Sequence, residues 1–188
     1  MRPICEIADH EGEYKDFTGV IDWQGSKGKV EKAHFKLDHS GIYWVKGTWL
    51  SGIWGMGFWL GGTWQSGTWE KGIWFGGIWK NGTWNTGDWR IGIWENGEWW
   101  DGNFENGTWK DGKWRNGYWL DGVWENGQWL NGTWKNGFWE NGIWVHGRWR
   151  NGIWKDGEWH GGKWEKGTWF NGTKINGIWI KVKYGNEK

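Results

Sequence analysis

Residues 117–141 read GYWLD-GVWEN-GQWLN-GTWKN-GFWEN, and this five-residue frame decides the fold. Outward from this stretch, a glycine stands at every fifth position from Gly47 to Gly177, 27 in all. A period of five excludes a helix, because five residues advance a helix by about 500° and would spread one column over every side. Strict strand alternation does not fit either, since five is odd. The frame therefore predicts short extended pieces, each broken by a turn.

An aromatic slot lies two residues after each glycine of the frame. The 28 slots from Trp44 to Trp179 all hold Trp except Phe104 and Lys174. Side chains two apart on a strand point the same way, so Gly and Trp are expected to face inward together. If they were exposed, so many indoles would form an apolar patch far larger than soluble monomers carry. We therefore expect the repeat indoles to fill a core.

The residue before each glycine is Asn in eleven and Asp in four of the 27 repeats. Both residue types tolerate positive φ, which tight turns demand. Two architectures are then possible: a meander of type I′ hairpins or a solenoid of stacked parallel coils. The meander would have strands of about three residues, below the usual five or six, and one uncovered Trp face. The solenoid is the better prediction.

The frame resembles that of the pentapeptide-repeat proteins, as in Gly122-Val123-Trp124-Glu125-Asn126, and the likeness covers about 135 of 188 residues. Gly and Trp replace the family's usual Ala and Leu or Phe, an exchange that nearly keeps the core volume. The resemblance implies a right-handed quadrilateral β-helix and a mostly non-enzymatic protein. Some members mimic duplex DNA through a strongly acidic surface, which the net charge of +1 does not support here.

The outward residues flanking each Trp indicate the number of sides. At a period of 20, one column has nine apolar residues among 14, against three of 14, six of 14 and three of 12 elsewhere. At a period of 15 the three columns have nearly equal counts, at seven, six and eight apolar residues of 18. We therefore predict an all-β, four-sided parallel β-solenoid with about 20 residues per coil and just under seven turns. One observation favours three sides, an uncharged ladder at period 15: Thr48, Thr63, Ile78, Ile93, Thr108, Val123, Phe138, Ile153 and Thr168.

The apolar column at period 20 is the predicted interface. Apolar strips of this length are usually covered in soluble proteins. Its centre at Trp100, Tyr118 and Leu120 has the residue types that interfaces favour. We expect a homodimer or a protein partner here. The predicted interface residues are Phe58, Leu60, Ile78, Trp100, Tyr118, Leu120, Phe138, Ile178 and Ile180.

The frame also divides the chain. Residues 1–43 lack it and are expected to form an N-terminal β-rich cap or small lobe, followed by the pentad β-solenoid (44–180) and a strand end with a tail (181–188). Lys174, in a Trp slot, is expected to close the core at the C-terminal end. The N-terminus MRPICEIADH lacks the apolar core of a signal peptide, and no apolar run reaches the roughly 18 residues of a membrane helix. A cytoplasmic or virion-associated location is expected.

Chemistry-bearing residues form no recognisable motif. His34 and His39 suggest metal ligands, but on a strand they would face opposite ways. Cys5 near His10 matches no thiol-nucleophile spacing, and a lone Cys forms no internal disulfide. P-loop, Ser-His-Asp and Cys/His zinc patterns are missing from the sequence. We expect no catalytic site, no metal and no cofactor.

These observations favour a non-enzymatic structural or interaction protein, a rigid rod that docks through an apolar face. Fold-level analogy suggests a phage or virion setting. One alternative is a carbohydrate- or surface-binding module that uses Trp100, Tyr118 and Phe138. Another is single-stranded nucleic-acid binding by the same aromatics with nearby Lys and Arg, although 23 basic against 22 acidic residues argue against a nucleic-acid partner. No membrane partner is expected.

Overall fold

The computed structural model describes residues 6–8 and 11–185 and shows an all-β parallel solenoid with a β-rich N-terminal cap. None of these described residues belongs to a helix capable of crossing a bilayer. The five N-terminal strands are β1 Glu6–Ala8, β2 Gly12–Trp23, β3 Ser26–Asp38, β4 Gly41–Trp54 and β5 Gly57–Trp59.

Twenty strands of two residues follow, each ending on an aromatic slot. They are β6 Thr63–Trp64, β7 Thr68–Trp69, β8 Ile73–Trp74, β9 Ile78–Trp79, β10 Thr83–Trp84, β11 Asp88–Trp89, β12 Ile93–Trp94, β13 Glu98–Trp99, β14 Asn103–Phe104, β15 Thr108–Trp109, β16 Lys113–Trp114, β17 Tyr118–Trp119, β18 Val123–Trp124, β19 Gln128–Trp129, β20 Thr133–Trp134, β21 Phe138–Trp139, β22 Ile143–Trp144, β23 Arg148–Trp149, β24 Ile153–Trp154 and β25 Glu158–Trp159. The chain ends in β26 Lys163–Trp169, β27 Thr173–Lys174 and β28 Ile178–Tyr184.

Strand pairing sets each coil at three pentads. Thr133 pairs in parallel with Tyr118 in the coil before and with Arg148 in the coil after. The N–H of Lys135 donates to the carbonyl oxygen of Trp119, in the coil before, at 2.8 Å. Since each pentad forms one side, the coil has three sides. About ten coils stack, to a height of roughly 43 Å at strand spacing.

The predicted four-sided coil of about 20 residues is therefore wrong. Three indoles fill one coil because they meet edge to face, as Trp119 and Trp124 do at 5.9 Å and 73° between ring planes. In this edge-to-face arrangement, three rings need a narrower core than three rings lying flat. The rod is therefore narrower than the predicted four-sided coil. With about ten coils it is also taller than the predicted stack of just under seven turns.

We number the sides by their aromatic slots, which return to the same side at every third pentad. Side 1 runs from Trp44 to Trp179, side 2 from Trp49 to Trp169, and side 3 from Trp54 to Lys174. Along each side the rings stack, for example Trp109 on Trp124 at 4.8 Å and 6°. The repeat indoles from Trp44 to Trp164 are fully buried, so the core consists of three aromatic columns.

The glycines form the corners. Gly127 has φ of +120°, where side chains other than glycine are strained. A Cβ there would lie 2.5 Å from the carbonyl oxygen of Gly112, one coil before. The sequence predicts glycines that face inward with the indoles, but at most of them the nearest obstacle is the backbone of the preceding coil. An indole is the next group in distance, as at Gly132, where a Cβ would lie 3.3 Å from Trp114 Nε1.

The Asn and Asp residues before glycine have a role that differs from the one expected. Positive φ outside glycine is confined, among the described residues, to Asp16, Gln24 and Lys32 of the cap. At all four Asp and at three of the Asn the side-chain oxygen instead accepts the N–H of the next glycine, as Asp111 Oδ1 does from Gly112 at 2.7 Å. This side-chain acceptor explains Asp at the corner, whereas Asn151 and Asn136 bond to each other between coils.

The cap continues the stack in antiparallel layers. β4 forms the first coil, β3 runs back along it, and β2 runs along β3. Phe35 stacks on Trp44 at 5.7 Å, and Tyr14 stacks on Phe35 at 5.1 Å. The aromatic column of side 1 therefore extends into the cap with smaller rings.

Lys174 occupies the last aromatic slot of side 3. Its Nζ lies 4.4 Å from the ring centroids of Trp169 and Tyr184 and 4.5 Å from that of Trp179. The ammonium also donates to the Tyr184 hydroxyl at 3.1 Å. A cation over three rings thus replaces the indole in the final coil.

Candidate docking surfaces

The three-sided coil separates the nine predicted interface residues, because positions 20 apart fall on successive sides. They do not form one strip. Side 1 carries Phe58, Leu60, Tyr118, Leu120, Ile178 and Ile180; side 2 carries Ile78 and Phe138; side 3 carries Trp100.

The predicted centre is divided between two sides. Trp100 is exposed on side 3, as expected, but the Arg115 guanidinium stacks 4.2 Å from its ring centroid. Arg115 also donates to Glu98 Oε2 at 3.1 Å, which holds it over the ring. Tyr118 and Leu120 lie on side 1. Trp100 therefore belongs to a local cation–π contact rather than to a patch shared with Tyr118.

The structure places a different apolar surface on the first coils, at the corner between sides 1 and 2. Val45, Leu60 and Phe75 follow the aromatic slot in three successive coils and are exposed. Ile91, at the corner position one coil further, is 55% exposed. Beside them Tyr43 stacks on Phe58 at 4.8 Å, and Phe58 pairs with Ile73. We call this surface the apolar corner: Tyr43, Val45, Phe58, Leu60, Ile73, Phe75 and Ile91.

Two glycines keep the apolar corner open. Gly61 and Gly76 occupy the corner position that holds Asn or Asp in most later coils. A Cβ at Gly76 would meet its nearest side chain, Ile91, at 3.9 Å. Because no polar side chain rises at these positions, Leu60 and Phe75 remain accessible.

The uncharged ladder of side 2 adjoins the apolar corner. With three pentads per coil this ladder is a true column, and Ile78 and Ile93 pair in register. Both residues are half-buried. The apolar surface thus extends around the corner from side 1 onto side 2.

Sequence reasoning found Phe58 and Leu60 of the apolar corner and Ile78 of the adjoining ladder. It missed the other five residues of the corner: Tyr43, Val45, Ile73, Phe75 and Ile91. The signal is in the sequence, since the column of Val45, Leu60 and Phe75 appears at a spacing of 15. The spacing of 20 used for the four-sided coil scattered these residues over different columns.

The histidines considered as ligands lie in the cap. His34 Nε2 lies 2.7 Å from Glu13 Oε1, a contact between β3 and β2. The hydrogen bond with His34, followed by the charge of Lys15, lowers the pKa of Glu13. His39 is exposed in the turn after β3.

Within residues 6–8 and 11–185, no three His, Cys, Asp or Glu side chains gather closely enough to hold a metal ion. Cys5 and His10 lie outside the described residues.

Comparison of the chain with models of known protein families gives no match. Comparison with curated proteins gives none either.

Proposed function

We propose that this protein is a non-enzymatic structural and interaction protein, a rigid solenoid rod that docks through the apolar corner. The observation that carries this proposal is the composition of that corner: seven apolar side chains lie together on a surface otherwise rich in Lys, Arg, Asp and Glu. Charged residues lie at its border: Lys36 over the Tyr43 ring, Asp88 beside Ile73, and Lys46 and Arg90. Exposed apolar patches of this kind on soluble proteins mark contact sites.

The rod itself supports a structural role. Every coil before the last buries three aromatic side chains and presents the residues that flank them outward. Such a core resists bending because each ring contacts neighbours in its own coil and in the coils above and below. A virion or cytoplasmic setting, suggested by analogy of fold, is part of the proposal. Kinship with the pentapeptide-repeat proteins is also part of the proposal. The five-residue side supports it, and the three-sided coil does not.

The occupant that fits the apolar corner best is a second copy of this chain. A twofold contact sets the same patch of both copies face to face, so a patch of one charge would repel its copy whereas an uncharged apolar patch does not. The exposed ring of Phe75 and the half-buried ring of Phe58 supply the aromatic content typical of interface centres. We therefore expect a homodimer.

Sedimentation of wild type and variants tests the dimer. Leu60→Glu with Phe75→Glu places two charges in the apolar corner and should convert the dimer to a folded monomer. Leu130→Glu with Val145→Glu is the matched control, because these residues occupy the same position of the pentad on side 3. The control should remain dimeric. The proposal would be contradicted if the wild type were a monomer that loses no partner on mutation. It would also be contradicted if the control variant dissociated equally.

The carbohydrate-binding alternative gains no specific support. Trp100, Tyr118 and Phe138 lie on sides 3, 1 and 2, so no two of them share one side of the rod as a sugar platform.

A further inference from the structure

The later coils of side 1 carry a concentration of positive charge. From Tyr118 onward, this side and its corner with side 2 hold six cations against Asp121 and Glu165, a local net charge of +4 in a chain of +1. The remainder of the chain is therefore slightly negative. We call this surface the cationic strip: Lys135, Arg148, Arg150, Lys163, Lys166 and Lys181.

Like charges stack in register along this strip. Arg148 pairs with Lys163, and Lys166 pairs with Lys181, in neighbouring parallel strands. Lys135 and Arg150 are also one coil apart in the same column. Neighbouring strands lie about 4.8 Å apart, and like charges directly opposite each other are destabilising.

Other parts of the rod match opposite charges at the same spacing. Arg90 forms an ion pair with Glu105, one coil later on side 1. Lys110 pairs with Glu95 at 3.5 Å on side 2. The cationic strip differs from these pairs in stacking like charges at three steps, whereas side 2 has one such step, Glu125 and Glu140.

One carboxylate relieves part of this repulsion. Glu165 Oε1 lies 2.7 Å from Arg148 Nε and 3.3 Å from Lys163 Nζ. The hydrogen bond from Arg148 lowers the pKa of Glu165, so this carboxylate is ionised at neutral pH. Among the ion pairs of the described residues, none includes the other four cations of the strip. Their charge is available to an external anion.

An exposed aromatic ring lies at the start of the strip. Tyr118 is 60% exposed and lines a shallow depression with two of the cations. Asn136 and Asn151 run beside them along the corner, their side chains joined by a 3.1 Å hydrogen bond. The depression is lined by Asn103, Tyr118, Leu120, Thr133, Lys135 and Arg150.

We propose that the cationic strip and Tyr118 bind single-stranded nucleic acid along the rod. The phosphates meet the stacked cations, and a base stacks on the Tyr118 ring, the combination that proteins use for single strands. The strip is one five-residue side wide, about 16 Å at strand rise, which suits a single strand. An acidic peptide or an anionic bilayer would also match the charge, and both are outcomes of the test below. This inference stands apart from the proposed dimer, whose residues lie in the first coils.

Fluorescence anisotropy of a labelled oligothymidylate of about 20 nucleotides tests the proposal. Lys135→Glu with Arg150→Glu should weaken binding at low salt by roughly 30-fold or more. Lys80→Glu with Lys155→Glu, the matched control on side 2, changes the net charge equally and should alter affinity by less than about twofold. The wild-type affinity should fall with salt by about 0.7 logarithmic units per phosphate contacted for each tenfold rise.

A second variant separates a nucleic acid from other polyanions. Tyr118→Ala should weaken oligothymidylate binding about tenfold, within the range for one base stack, and leave binding of inorganic polyphosphate unchanged. Indole emission should show that every variant stays folded. Absence of oligothymidylate binding at about 1 mM protein and low salt would overturn the proposal. Equal losses in the matched control, or binding of polyglutamate or anionic vesicles but not of oligothymidylate, would overturn it too.

Discussion

At the scale of single residues, burying indoles is favourable although most lose a hydrogen bond. Twenty-one repeat indoles have a buried Nε1 without a hydrogen-bond partner, while a few donate to a carbonyl in the next coil, as Trp144 does to Gly161 at 3.1 Å. An unpaired buried donor costs about 1–3 kcal/mol. Burying one indole of about 200 Å² contributes about 5 kcal/mol, and ring pairs add about 0.5–1.5 kcal/mol each. The apolar and stacking contributions exceed the lost hydrogen bond.

Glycine is required at the corner for two reasons, its positive φ and the contact with the glycine one coil before. Gly127→Val would strain the backbone and force Gly112 away, so we expect a loss of at least about 3 kcal/mol. Gln128→Val, one residue on, changes an exposed outward side chain and should alter the free energy of unfolding by less than about 0.5 kcal/mol. Urea unfolding compares the two variants. Equal effects would show that the corner does not need glycine.

At the scale of the element, a strand of two residues has no stability of its own. Each repeat strand makes its ladder contacts only to the coils before and after it. The final coil pairs with the coil before it on one side alone, so its stability depends more heavily on contacts outside the strand ladder. Lys174 provides such contacts by placing its ammonium over Trp169, Trp179 and Tyr184.

Replacing Lys174 should therefore loosen the last coil selectively. Lys174→Gln removes the cation over three rings, and cation–π contacts at partly exposed sites contribute about 0.5–2 kcal/mol. We expect amide hydrogen exchange within residues 173–184 to accelerate about threefold to thirtyfold, with little change in the middle coils. Lys155→Gln, an exposed side-2 lysine, serves as the control. Unchanged exchange in the final coil of Lys174→Gln would contradict this role.

At the scale of the whole molecule, the rod behaves as a one-dimensional stack in which each coil contacts its neighbours. The natural unit of change is then one coil of three pentads. Deleting residues 122–136 joins Asp121 to Gly137, which keeps the pentad frame and returns every later residue to its own side. The cap and the final coil are untouched.

We expect this deletion variant to fold and to be about 4.8 Å shorter, one strand spacing. Small-angle X-ray scattering measures the change in length. Deleting residues 122–134 removes two fewer residues but breaks the frame, so indoles would face outward and cooperative unfolding should be lost. If both deletions were tolerated equally, the coil would not depend on the five-residue frame.

The sequence by itself determined the repeat unit, the inward Trp column and the solenoid class. Those features follow from the pentad alone: the Gly-x-Trp spacing excludes a helix, and 28 aromatic slots need a core. The exposed position of Trp100 also followed, because it lies next to a buried slot.

Only the tertiary structure decided the number of sides, and with it every outward surface. The pentad is locally the same in a three-sided and a four-sided coil. What differs is the angle turned at each glycine and the way in which the rings of one coil meet, as Trp119 meets Trp124 edge to face. These are contacts between residues of different pentads, and neither composition nor column counts reports them. The apolar segregation at period 20 therefore did not predict a face, whereas the columns at period 15 became the apolar corner and the cationic strip.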